Sequence, residues 1–350
     1  MSDEYVSMAH GAGGSTMDAL IKRYILTRLG GSQAEVPLEA LDDAAVINGI
    51  IFKSDSYTVK PLFFPGGDIG RMAVAGTVND MSVLGAEPLA LAAGFIFEEG
   101  FPLTDLERIL SSMNETCKEA GVAVITGDTK VVERGGLDKF VMNCSGVGRR
   151  SPLLDSNLQE VRKFRRCEAE WLLDSNIWSG DQIIISGAIG DHGIAVLSAR
   201  EGYGFETQVQ SDAAPLNHMI AKALQVGGVV GMKDPTRGGL ANLLNEWSEK
   251  SKVGILVHDD KIPVHTGVKA ACEMLGLDPM EVGNEGKVAL AVVSEKAREV
   301  LETLRSTELG KEAEIIGRAT DEFDLVAVET LVGGKRILPK PLGDPVPRIC

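Results

Sequence analysis

The chain has 350 residues, 44% of them apolar, with 40 glycines and a formal net charge of −15. That length predicts two domains with sizeable cores. The acidity excludes nucleic acid as a natural partner, because its phosphates would be repelled, and no apolar run approaches the ~20 residues that cross a bilayer.

The opening MSDEYVSMAHGAGG has neither the basic nor the apolar region of a signal peptide. The loop from His10 to Gly14 runs into an amphipathic helix, and its backbone N–H groups could cover phosphates or form a plain flexible lead-in. Asp42-Asp43 precede an apolar run. Asn48-Gly49 between two such runs predicts a hairpin, since a type I′ turn needs positive φ at both central positions. Asp68 is placed to cap a helix that ends near Gly85. Thr104 to Glu107 reads as a capping box opening a second helix, with Leu106, Ile109, Leu110, Met113 and Cys117 on its apolar face and Gly121 as its stop. A short buried strand is expected over 122–126, leading into Gly127-Asp128-Thr129-Lys130, and more β-rich sequence over 140–148.

Residues 1–150 form the expected N-terminal domain. Residues 151–178 mix charge and proline with little periodicity and read as a linker. A second domain over 179–336 restarts with a strand at 182–186, then a glycine-rich turn entering a helix, then alternating strands and helices. The final LPKPLGDPVPRIC has four prolines and can be neither helix nor central strand, so 337–350 reads as an extended mobile arm.

Asp80 lies in an almost wholly apolar helical run, where a lone carboxylate would face a large desolvation cost unless paired or metal-bound. The other reading is a helix that dips out of the core there. Asp43, Asp128 and Asp234 each sit where a strand or turn meets the next element. Each alone reads more simply as a cap or turn aspartate, but together they suit Mg²⁺ bound to phosphates. No GxxxxGK[ST] occurs, and Gly187, Gly190 and Gly193 miss the dinucleotide spacing. Lys130 follows Asp128 by two, so both point to one face of an extended segment. It reads as a phosphate or proton partner, or as half of a surface ion pair. Glu285, in a polar turn before a buried strand, reads as a base or as turn chemistry. His10 and His192 sit in glycine-rich loops and read as structural or phosphate-adjacent. Five widely spaced cysteines without CxxC argue against a disulfide framework and for a reducing, cytoplasmic setting. Cys350 is the last residue of the sequence, on a proline-rich tether that reaches on the order of 40 Å. Such a thiol suits a group carrier.

HGAGG, DDAAV, SDSYTVKPLFFPGGDIG, NDMSVLGAEP, GDTKVV, DPTRGGL, VGNEGK and the terminal PRIC together resemble the family of the hydrogenase maturation factor HypE. Its superfamily contains aminoimidazole ribonucleotide synthetase, thiamine monophosphate kinase and selenide water dikinase. The motifs run from His10 to Cys350. The resemblance implies an α+β fold of two domains, aminoimidazole ribonucleotide synthetase-like, whose N-terminal sheet pairs in a homodimer. It implies ATP and Mg²⁺ as cofactors, with nucleotide contacts from Gly11, Gly13, Gly14, Asp55, Asp68, Asn79, Gly127 and Asp128. Metal contacts would come from Asp43, Asp80, Asp128 and Asp234, and catalysis from Cys350, Lys130 and Glu285.

It also implies a reaction. A HypF-type partner places a carbamoyl group on Cys350, ATP activates its oxygen, and loss of water leaves a thiocyanate for an iron scaffold of the HypC–HypD type. Two other readings stay open: a superfamily enzyme that phosphorylates a free small molecule, and a nucleotide-binding scaffold without catalysis.

Overall fold

The computed structural model describes residues 5–200, 207–346 and 348–350. The first sheet is built around the expected hairpin. Strands β1 (Ala45–Ile47) and β2 (Ile50–Tyr57) turn at Asn48 and Gly49, whose φ angles are +53° and +72°. Helix α1 (Ile69–Val83) follows, capped by Asp68, whose Oδ1 accepts from the backbone of Gly70 at 2.8 Å and Arg71 at 3.0 Å. Next come β3 (Ala86–Glu98), α2 (Leu103–Ala120), β4 (Val124–Val132) and β5 (Phe140–Arg150). The sheet order is β1-β2-β5-β3-β4, antiparallel except for the β3–β4 pair.

Helix α1 is buried on nearly every side. Its small residues (Ala73, Ala75, Gly76, Thr77) let the sheet approach on one flank and α2 on another, as an all-round apolar helix requires. It also touches the second domain, so Asp80 belongs to an inter-domain wall rather than to a wet surface.

Three local expectations are corrected. The helix α2 starts at Leu103, after Pro102, with no side-chain cap, so the Thr104–Glu107 box is not formed. Leu110 is exposed, while Ile109, Met113 and Cys117 are buried and Gly121 ends the helix at φ +73°. Strand β4 is neither short nor buried: it is the exposed edge of the sheet in this single chain.

The segment 151–178, expected as a linker, is packed. Helix α3 (Pro152–Val161) begins at Ser151, whose hydroxyl accepts from the Leu153 N–H, and Leu154, Leu158, Trp171 and Leu172 are buried. The second sheet contains β6 (Gln182–Ile185), β7 (Val229–Lys233), β8 (Gly254–His258), β9 (Ala289–Val292), β10 (Glu314–Thr320), β11 (Val326–Glu329) and β12 (Lys335–Ile337). Its order is β12-β11-β8-β10-β6-β9-β7, mostly antiparallel. Helices α4 (Asp191–Ser198), α5 (Asn217–Val226), α6 (Gly239–Ser251), α7 (Thr266–Leu275) and α8 (Ala297–Arg305) complete it. One apolar cluster runs through both domains, from Val46 and Met81 to Leu224 and Leu290. Among the described residues no helix is long and apolar enough to cross a membrane, and all five cysteines are free.

One histidine held between two carboxylates carries a pH prediction. His265 lies 3.0 Å from Asp191 through Nδ1 and 3.0 Å from Glu312 through Nε2. Carboxylates only accept, so both ring nitrogens carry protons and the ring is held as imidazolium, its pKa raised above 6.5 chiefly by Asp191. A raised folded-state pKa gives stability that is complete below the unfolded value and lost as pH rises through the folded one. Thermal melts should therefore show a loss above about pH 6.5, of no more than about 1 kcal/mol because the ring is half exposed. His265→Gln should remove that slope; an unchanged slope in the variant would refute the assignment.

The candidate active site is an acidic cleft closed by the C-terminal arm

Alternation along β2 turns Lys53, Asp55 and Tyr57 toward α1. The Lys53 ammonium meets Asp80 at 2.7 Å and Asp55 at 3.1 Å. The Tyr57 hydroxyl lies 3.3 Å from both Asp55 Oδ2 and Thr77 Oγ1. Asp43 enters from the turn before β1 and Asp234 from the end of β7. Ligand oxygens of Asp43, Asp80 and Asp234 lie within 4.8 Å of one another. Burial, then the neighbouring carboxylate of Asp43, pushes Asp234 up to about 7. Burial raises Asp80 well above the carboxylate range against the pull of Lys53. Asp43 Oδ2 and Asp234 Oδ2 are buried and have no hydrogen-bond partner. Three crowded carboxylates on rigid elements, two of them with an orphaned oxygen, suit a hard divalent cation, and the residues present fit Mg²⁺.

Behind this cluster stands a lysine that sequence reading passed over. Lys233 Nζ contacts Asp43 at 2.8 Å, Asp174 at 3.2 Å and Glu246 at 3.3 Å. Asp174 is fully buried and also takes Lys250 at 2.7 Å and the Trp247 indole N–H at 2.8 Å. A signal for Lys233 was present, because it ends an otherwise apolar strand and faces the same desolvation cost as Asp80. Lys53 was signalled by its place two before Asp55. Asp174, inside the segment read as a linker, carried none.

The arm 337–350, expected to be mobile, is docked in this structure. Ser15 N–H donates to the Pro341 carbonyl, Lys60 N–H to that of Arg348, and Thr58 N–H to the main-chain oxygen of Cys350. Leu338, Val346 and Ile349 are buried. A proline-rich composition excludes helix but says nothing of which main-chain groups wait for the arm elsewhere. Cys350 thus lines the same cleft as Asp43, Asp80, Asp234 and Glu285, with Gly13 and Gly14 at its rim. Gly11 sits beside Cys350 in an adjoining cavity. Burial pushes the Cys350 thiol up to about 12, opposed by Arg237. Burial also raises Glu285 well above the carboxylate range.

Other expected contacts fall elsewhere. Asp68 is engaged as the α1 cap. Asn79 bridges the domains: its amide donates to the carbonyls of Ala214 and Glu285, and its oxygen accepts from Leu216 N–H. Gly127 lies where a Cβ would sit 2.1 Å from the Ala93 carbonyl, so it serves strand pairing. Asp128 and Lys130 form a 2.8 Å ion pair on exposed β4, away from the cleft of this single chain. Asp128 is therefore not with the three clustered carboxylates.

Two family models cover the chain: AIR synthase related protein, N-terminal domain, over residues 41–150, and its C-terminal domain over 179–329. Carbamoyl dehydratase HypE of Azotobacter vinelandii is 43% identical over 347 residues, covering 99% of this chain and 97% of the relative. The chain belongs to the HypE family. A crystal structure of a HypE–HypF complex superposes with a TM-score of 0.83 at 45% identity, covering 92% of this chain and 100% of the other. A HypE structure in complex with ATP gives 0.79 at 39% identity, covering 99% and 100%. The aspartate cluster and the docked arm thus sit on a HypE fold along its full length.

Proposed function

We propose that this chain removes water, at the expense of ATP, from a carbamoyl group carried on Cys350, leaving a thiocyanate that supplies cyanide for hydrogenase iron. The observation that carries the reading is the seat of Cys350 in one cleft with three clustered carboxylates and Glu285. ATP use is supported by the ATP complex of a HypE relative, and a HypF-type carbamoyl donor by the HypE–HypF complex. The acceptor in this reading is an iron scaffold of the HypC–HypD type.

Asp43, Asp80 and Asp234 would hold Mg²⁺, which neutralises phosphate charge when bound. Lys53 holds Asp80 and Lys233 holds Asp43 in place. The Gly13–Gly14 rim offers backbone N–H groups to phosphate. A carbamoyl oxygen is a poor leaving group; transfer of the ATP terminal phosphoryl group onto it makes it leave as phosphate. Two N–H protons must also leave, giving S–C≡N, ADP and phosphate. Glu285 lines the same cleft, and we assign it the proton handling in this step. Lys130 joins this chemistry only if a second copy presents it. We assign that role to a homodimer formed over β4 and the outer sheet face, where Phe52, Ile125 and Val131 are exposed in the single chain.

The test is the mass of the Cys350 peptide after incubation with a carbamoyl-donor partner, carbamoyl phosphate and ATP. A carbamoyl adduct should form and lose water only when ATP is present. Water loss without ATP, or ATP turnover with Cys350 unmodified, would overturn the reading.

A further inference from the structure

A donor outside the acidic cluster holds the arm next to its reactive residue. His192 Nε2 lies 2.8 Å from the carbonyl oxygen of Ile349. A carbonyl only accepts, so Nε2 carries the proton. His192 Nδ1 lies 2.8 Å from the Ser211 hydroxyl, which completes a neutral ring by donating to it. The ring is fully buried and meets Phe64 edge-on, with centroids 5.3 Å apart. Tautomer and orientation are thus fixed from three sides. The same turn of α4 makes room for the arm: Gly193 N–H donates to the Gly283 carbonyl. A Cβ on Gly283 would sit 2.4 Å from Ile349 Cδ1, so that glycine opens the slot for the isoleucine side chain.

We infer that His192 is a positioning residue, a socket donor that helps keep Cys350 docked in the cleft. Other side chains also tether the tip: Arg348 donates to the Thr58 carbonyl at 3.0 Å and Arg200 to the Arg348 carbonyl at 3.2 Å, while the Arg348–Asp138 pair at 2.9 Å is part exposed and holds little. A buried carbonyl deprived of its donor has more leverage, because undocking would then restore its hydrogen bond to water. The functional consequence rests on the proposed role of Cys350 as carrier; the docking role rests on geometry alone. Carbamoyl transfer to Cys350 needs the arm outside and water loss needs it inside, so weakening the socket should affect the two steps in opposite directions.

The first measurement is the rate of Cys350 alkylation by iodoacetamide in full-length protein without ATP, read from the mass of its peptide. His192→Ala should speed labelling by about 10-fold, with Cys117 and Cys144 still protected. His192→Gln, whose amide can donate to the same carbonyl, should fall between, and Ser211→Ala should give a smaller increase. The second measurement follows the two mass changes on Cys350 with partner and ATP: carbamoylation at or above the wild-type rate, water loss slowed about 10-fold. Labelling at the wild-type rate in folded His192→Ala would overturn the inference, as would labelling of Cys117 and Cys144 in step with Cys350. Should that variant not fold, wild-type labelling in both His192→Gln and Ser211→Ala would do the same. If wild-type protein never loses water from its adduct, the proposed reaction fails while the labelling result still decides the socket.

Discussion

Cys350→Ser should abolish both mass changes on the arm peptide, with carbamoyl incorporation below detection at every partner concentration. The hydroxyl fills nearly the same space but is a far weaker nucleophile than a thiolate. The thiol itself is poorly ionised while docked, its pKa pushed up to about 12 by burial. In the proposed reaction the arm takes up its carbamoyl group while undocked, so the substitution acts outside the cleft. Nucleotide binding should survive, because the clustered carboxylates and the Gly13–Gly14 rim do not depend on the sulfur. Isothermal titration with a non-hydrolysable ATP analogue checks that half. Cyanide production by the variant would refute Cys350 as the carrier, and unchanged ATP turnover on an added small molecule would favour a kinase-like enzyme instead.

Asp234→Asn should separate stability from function with opposite signs. In chelator the variant should melt a few degrees above wild type, since the amide removes a carboxylate whose Oδ2 is buried and unpartnered. The pH dependence gives the sign independently. Asp234 rises from 3.8 to about 7 in the folded chain, so the cation-free protein binds more protons than the unfolded one and loses stability as pH climbs across that window. The variant should lose this contribution. With Mg²⁺ the order should reverse: wild type gains stability, whereas Asp234→Asn gains little and transfers phosphoryl at least ~100-fold more slowly. Thermal melts in chelator and in Mg²⁺, with ATP turnover alongside, test it. A variant less stable than wild type in chelator would show that Asp234 is a structural partner rather than a strained ligand.

What sequence alone determined was local or compositional. Asn48-Gly49 specified the hairpin because two consecutive positive φ angles suit few residue pairs. Asp68 specified the α1 cap, and the apolar run around Asp80 marked a carboxylate in need of a partner. The motifs from HGAGG to PRIC pointed to the family and its two-domain α+β fold, because the residues within each motif are neighbours along the chain. Tertiary structure alone decided which partners those residues find. Asp43 meets Lys233 across 190 positions and His192 meets Ile349 across 157. Asp174 emerged from a segment without pattern, and Asp128 and Lys130 kept their predicted shared face but lay on an edge strand away from the cleft. Periodicity and turn chemistry report only on neighbours within a few residues. A buried ion pair or a docked arm depends on how sheets and helices stack, which no short spacing records.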